Sequence, residues 1–141
     1  MSLAVFKYLV PAYYDILSVV TVDGETLPVY DGIAPDTETG SFILIGERNL
    51  NQLDDKCGYT YTVDILVDVV IKNSSFGYNT ADDYIDAITA QINSNTILDL
   101  SPEFQAVSTK IINNFSLPAL NPTEPTFRSL VRFEHIITQV N

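Results

Sequence analysis

From Tyr59 to Lys72 the chain reads YTYTVDILVDVVIK, with an apolar residue at every odd position. Thr60, Thr62, Asp64, Asp68 and Lys72 occupy even positions, with Leu66 and Val70 as the apolar exceptions. A period of two places alternate side chains on opposite faces, so this run predicts one half-buried β-strand. At about 3.3 Å per residue it would extend about 45 Å, well past the usual strand of about five or six residues. Such a strand either spans the whole sheet or projects past it toward another subunit, and this points to an assembly component.

Around it the periods change. Leu3–Val19 places Leu3, Phe6, Val10, Tyr13, Tyr14 and Leu17 at helical spacing, with Pro11 inside. Either the helix kinks there, or a short turn ends at Val10 and the helix proper begins with Pro11 at its first position. Asp23-Gly24, between VVTV and ETLPVY, predicts a β-hairpin, because both turn residues tolerate positive φ. Pro28 confines the second arm to an edge or a strand end. Ser41–Gly46 is a short apolar strand. Glu47–Gly58 (ERNLNQLDDKCG) lacks a period and reads as an exposed loop leading into the long strand.

Residues 73–79 make a turn. Thr80 then caps a helix reaching about Asn95, which buries Tyr84, Ile85, Ile88 and Ile92 and keeps acids in its first turn. After a turn at Leu100-Ser101-Pro102, Phe104–Phe115 reads as a strand with broken alternation. Residues 116–125 hold three prolines and make an extended linker. In the last strand, Thr126–Val140, Phe127, Val131, Phe133 and Ile137 face one way and Arg128, Arg132, Glu134 and Thr138 the other. The expected fold is α+β: an antiparallel or mixed sheet of about four long strands against two main helices, with a hairpin after the first. The 141 residues form one domain.

Composition narrows the function. A net charge of −11 with seven scattered bases leaves no basic face to neutralise phosphates, so tight nucleic-acid binding is excluded. No run approaches the roughly 20 apolar residues of a membrane helix. The N-terminus lacks the basic start of a signal peptide, so synthesis in the cytoplasm is expected and no membrane partner is. One cysteine, Cys57, permits neither an intrachain disulfide nor a cysteine zinc site.

Candidate chemistry is thin. His135 is the one histidine; its neighbours Arg132 and Glu134 suggest a surface cross-strand pair. Cys57 beside Lys56 has no base motif and reads as inert. The pairs Asp54-Asp55 and Asp82-Asp83 lack calcium-loop spacing, and the second fits a helix N-terminus. Asp64 and Asp68 share a strand face, but about 13 Å apart at 3.3 Å per residue they cannot chelate one ion. There is no phosphate loop or nucleophile elbow. No catalytic, cofactor-binding or metal residue is expected, and the protein is read as no enzyme.

The phrase VYDGIAPDTETGSFILIGE, the long alternating strand, the helix and the closing FRSLVRFEHIIT resemble the tail-completion or tail-terminator proteins of tailed bacteriophages, including relatives of the minor tail protein U of lambda-like phages. The likeness covers about residues 5–140. It implies a structural virion protein at the head–tail junction or tail end, assembled in the host cytoplasm. It implies a homo-oligomeric ring, a hexamer first and a dodecamer second, acting as terminator or neck component with no cofactor. Tail-tube or head-connector proteins would be its partners, with DNA passing through without tight binding. Rings need two different matching surfaces. The projecting strand and the loop residues Arg48, Asn49, Leu50, Asn51, Gln52, Leu53, Asp54 and Asp55 are candidates, with Asp64 and Asp68 as acids of the lumen. A small non-catalytic adaptor, monomeric or dimeric, is the competing reading.

Overall fold

The computed structural model describes residues 5–53, 60–72, 79–94, 104–117 and 126–139. Helix α1 (Val5–Leu17) and helix α2 (Asn79–Ser94) accompany five strands: β1 (Val29–Asp31), β2 (Phe42–Leu53), β3 (Thr60–Lys72), β4 (Phe104–Leu117) and β5 (Thr126–Gln139). The strands form one sheet in the order β1-β2-β3-β5-β4. β1 lies parallel to β2 and every other pair is antiparallel. The expected α+β class holds, with a mixed sheet and both helices on one face.

β3 is the long strand expected, and it occupies the middle of the sheet. Its odd side chains Tyr61, Val63, Ile65, Val67 and Val69 are fully buried beneath the helices. β5 pairs along all of β3 from Thr60 to Lys72, and β2 pairs from Thr60 to Val70. The strand therefore does not project beyond its neighbours. Its length is matched by flanking strands nearly as long, because each inward apolar residue needs a paired strand on both sides to leave no backbone group unbonded.

α1 runs through Pro11 as one helix and buries Val5, Leu9, Ala12, Tyr13 and Leu17. That stripe is rotated from the expected one: Tyr14 is exposed, while Phe6 and Val10 pack at the rim of the core. α2 buries Ala81, Tyr84, Ile85, Ile88 and Ile92, as its spacing predicts. It begins at Asn79, so Thr80 lies within the helix rather than before it. Ser129 Oγ donates to Asp82 Oδ1 at 2.9 Å, and the Tyr84 hydroxyl donates to the Glu25 carbonyl at 3.0 Å, fastening α2 to β5 and to the turn before β1.

The Asp23-Gly24 turn forms, with φ of 52° and 81°, the positive pair of a tight two-residue turn. It closes a single bridge, Val22 to Glu25, and no hairpin ladder follows. The second arm instead lays Val29–Asp31 parallel to Ile43–Ile45. Pro28, without an N–H, accepts through its carbonyl from Ile43 N at 2.9 Å and leads into this short edge strand.

Glu47–Leu53 is strand, not loop: β2 continues to Leu53. Ile45 pairs with Val67 and Arg48 with Ile65, so Gly46 and Glu47 together oppose Leu66 in a β-bulge. The extra residue inverts the facing of everything after it. β4 carries two further shifts, between Ala106 and Ser108 and between Ile111 and Asn113. The turns expected over residues 73–79 and at Leu100-Ser101-Pro102, and the proline linker of residues 116–125, lie outside the described residues in whole or in large part.

Candidate functional site

The sheet face turned away from the helices carries most of the chain's bases. Even positions of β3 and β5 point there, and their charges interlock diagonally. Asp68 lies opposite Leu130, and its carboxylate takes hydrogen bonds from Nε and Nη2 of Arg128, whose own partner in register is Val70. Four residues along β3, Arg132 Nη1 donates to Asp64 Oδ2 at 2.9 Å, again offset by two from direct opposition. Glu47 approaches the same guanidinium at 3.7 Å, and Lys110 on β4 sits 3.5 Å from Glu134. Asn49 Nδ2 donates weakly to Asp64 Oδ2 at 3.4 Å. In register, Asn49, Asp64, Glu134 and Lys110 form one row across all four long strands.

Asp64 and Asp68 thus lie on one face, as their parity requires, but do not make an acidic wall. Each is answered by an arginine from β5, so the field they project is largely cancelled at short range. The unpaired acid surplus sits elsewhere: Asp23 and Glu25 on the tight turn, and Asp82, Asp83 and Asp86 on α2, are all exposed.

The residues proposed as an interface loop divide between two faces because of the bulge. Arg48 and Leu50 turn toward the helices. Arg48 lies 3.2 Å from Asp31 Oδ1, at an angle that makes an ion pair rather than a hydrogen bond, and stacks over the Phe6 ring at 5.6 Å. It joins β1, β2 and α1, a structural task. Asn49, Asn51 and Leu53 point the other way and are exposed, and Gln52 is exposed opposite Tyr61. Asp54, Asp55 and Cys57 lie outside the described residues. β1 covers β2 only at Ile43–Ile45, leaving the outer side of Arg48–Leu53 without a neighbouring strand among the described residues.

The opposite edge is β4, and sequence reasoning gave it no role. Most of it is exposed, including Val107, Ile111, Ile112 and Phe115. Val107 and Ile112 are the residues that the two register shifts leave without a partner on β5. They were legible in the sequence as apolar residues that break the alternation. Bulges commonly re-aim side chains at sheet edges.

His135 is not a surface residue. It is fully buried and shares its parity with Val131, Phe133 and Ile137. The Tyr13 hydroxyl is hydrogen-bonded to Nε2, and Thr109 Oγ1 lies 3.0 Å from Nδ1. Burial lowers its pKa to about 4, although a hydrogen bond to the Ser108 backbone favours the charged ring. Burial likewise pushes the Tyr13 phenol well above its usual value. The imidazole is therefore neutral near pH 7. Sealed under α1 with both nitrogens engaged, it is a structural group that links α1, β5 and β4.

No protein-family model and no curated protein matches this chain. Among solved structures, the fold is similar to that of a chain in the virion of a native gene transfer agent particle. The TM-score is 0.77 at 21% identity, and the match covers 97% of this chain and 99% of the other. A superposition of that quality shows a shared fold over essentially the full length of both chains.

Proposed function

We propose that this chain is a structural virion protein of the tail-terminator or head–tail joining type, which assembles into a homo-oligomeric ring around the DNA passage. The observation that carries this reading is the end-to-end likeness to a chain of a gene transfer agent virion. The sequence phrases that resemble tail-completion proteins support it independently. Tail-tube or connector proteins are the partners, a hexamer is the first expectation for the ring, and the chemistry is packing rather than catalysis.

The charge pattern suits a passage through which DNA moves without sticking. The arginines of the open face are already occupied by carboxylates, so binding a phosphate would require breaking Asp68–Arg128 or Asp64–Arg132. If that face lines the lumen, Asp64 and Asp68 contribute by holding those arginines, and the repulsion comes from the exposed acids of α2 and the turn. Electron microscopy of the purified protein at rising concentration, alone and with tail tubes, tests the reading. Closed rings with an opening wide enough for a duplex are expected. A protein that remains monomeric in both settings refutes it.

A further inference from the structure

A ring subunit must present two unlike surfaces, and among the described residues the two open edges of this sheet are unlike and lie at opposite ends. At one end is β4, Phe104–Leu117, which contains no acid and one base, Lys110, in a chain of net charge −11. Copies of such a chain repel one another over most of their surface, and an acid-free strip with one base lowers that repulsion locally. It also exposes the bulge residues Val107 (61%) and Ile112 (45%), together with Ile111 and Phe115. At the other end is the second half of β2, where Glu47 keeps 65% of its side chain exposed despite its contact with Arg132.

We infer, resting on the ring reading, that the β4 edge of one copy docks on the Glu47–Leu53 edge of the next, with Lys110 facing Glu47 across the contact. The register carries the pairing. Lys110 and Asn49 stand in one row across the sheet, and Glu47 is on the same open face beside Asn49. Repeating the sheet sideways brings Lys110 level with the next copy's Asn49, within one row of Glu47. Lys110 has 70% of its side chain exposed and can turn from Glu134 to a second carboxylate. The bulges interrupt β4's outer row of backbone groups, so the contact rests on side chains, with Val107 and Ile112 as apolar anchors.

Sedimentation velocity over a concentration series, with melting curves as the fold control, tests this. Lys110→Glu, Glu47→Lys and Ile112→Asp should each raise the concentration for half-assembly by about tenfold or more. The double variant Lys110→Glu/Glu47→Lys should recover most of the loss. If a single charge reversal lowers melting, Lys110→Gln and Glu47→Gln replace the pair and should weaken assembly less. Wild-type rings with unaffected variants, or a double variant no better than the singles, would overturn this contact and leave the ring standing. A wild-type chain that assembles neither alone nor with tail tubes would overturn both.

Discussion

Arg128 grips Asp68 diagonally across two central strands, and the carboxylate it holds is only 5% exposed while the guanidinium is 35% exposed. The two ends of this ion pair therefore depend on each other unequally. If its partner is removed, Arg128 can find water more readily than Asp68 can.

That asymmetry predicts the outcome of removing either partner or both. Arg128→Ala strands a buried carboxylate and should cost about 3 kcal/mol in urea unfolding. Asp68→Ala leaves a guanidinium that can reach solvent and should cost about 1 kcal/mol. The joint Asp68→Leu/Arg128→Leu variant should lie near wild type, because apolar replacement removes both desolvation penalties. Equal costs for the two single variants would contradict the burial.

His135 predicts a pH dependence with a definite sign. The unfolded imidazole titrates near pH 6.5 and the folded one at about 4. Between these values the unfolded chain binds the extra proton, so stability falls as pH falls. The slope from this group reaches about 1.4 kcal/mol per pH unit, for a total of about 3 kcal/mol below pH 4. Above pH 6.5 it contributes no slope. Measured from pH 8 to 4, wild type should lose this increment relative to His135→Gln, which does not titrate; parallel curves would remove His135 from the account.

Val67 is fully buried at the centre of β3, facing the helices between β2 and β5. Val67→Asp would place an unpaired carboxylate there at a cost of several kcal/mol and should yield insoluble protein. Leu66→Asp, one residue away on the open face, should remain soluble. The contrast checks the facing of the strand rather than the fragility of the sheet.

How much the sequence revealed follows from where the alternation survives. β3 and β5 contain no register shift between them, so a period of two identified them and their faces. At Gly46-Glu47 a bulge adds one residue and swaps the faces, and the polar residues beyond it mimic a loop. The same effect weakened β4, where two shifts scatter the pattern over one strand. At His135 the parity was correct and the charged neighbours misled: Arg132 and Glu134 alternate with it and face the opposite side. The Arg128–Asp68 and Arg132–Asp64 diagonals were not legible, since they depend on a pairing register between strands separated by a helix and another strand.

The same pairs predict behaviour toward DNA. The open face sets Glu47, Asp64, Asp68 and Glu134 against Lys72, Lys110, Arg128 and Arg132, with the arginines already hydrogen-bonded to carboxylates. Phosphate contacts gain their free energy from counterion release by unoccupied bases. The wild-type protein should therefore give no mobility shift with duplex DNA at physiological salt, where screening acts over about 8 Å. Asp64→Asn/Asp68→Asn frees the Arg128 guanidinium, leaves Arg132 only its 3.7 Å contact with Glu47, and leaves the face with more bases than acids. That variant should bind duplex at low salt, and its affinity should fall steeply as salt rises, with a log–log slope of about −2 for two phosphate contacts. Tight binding by the wild type would mean that the arginines exchange carboxylate for phosphate readily, and the chain would then grip DNA rather than let it pass.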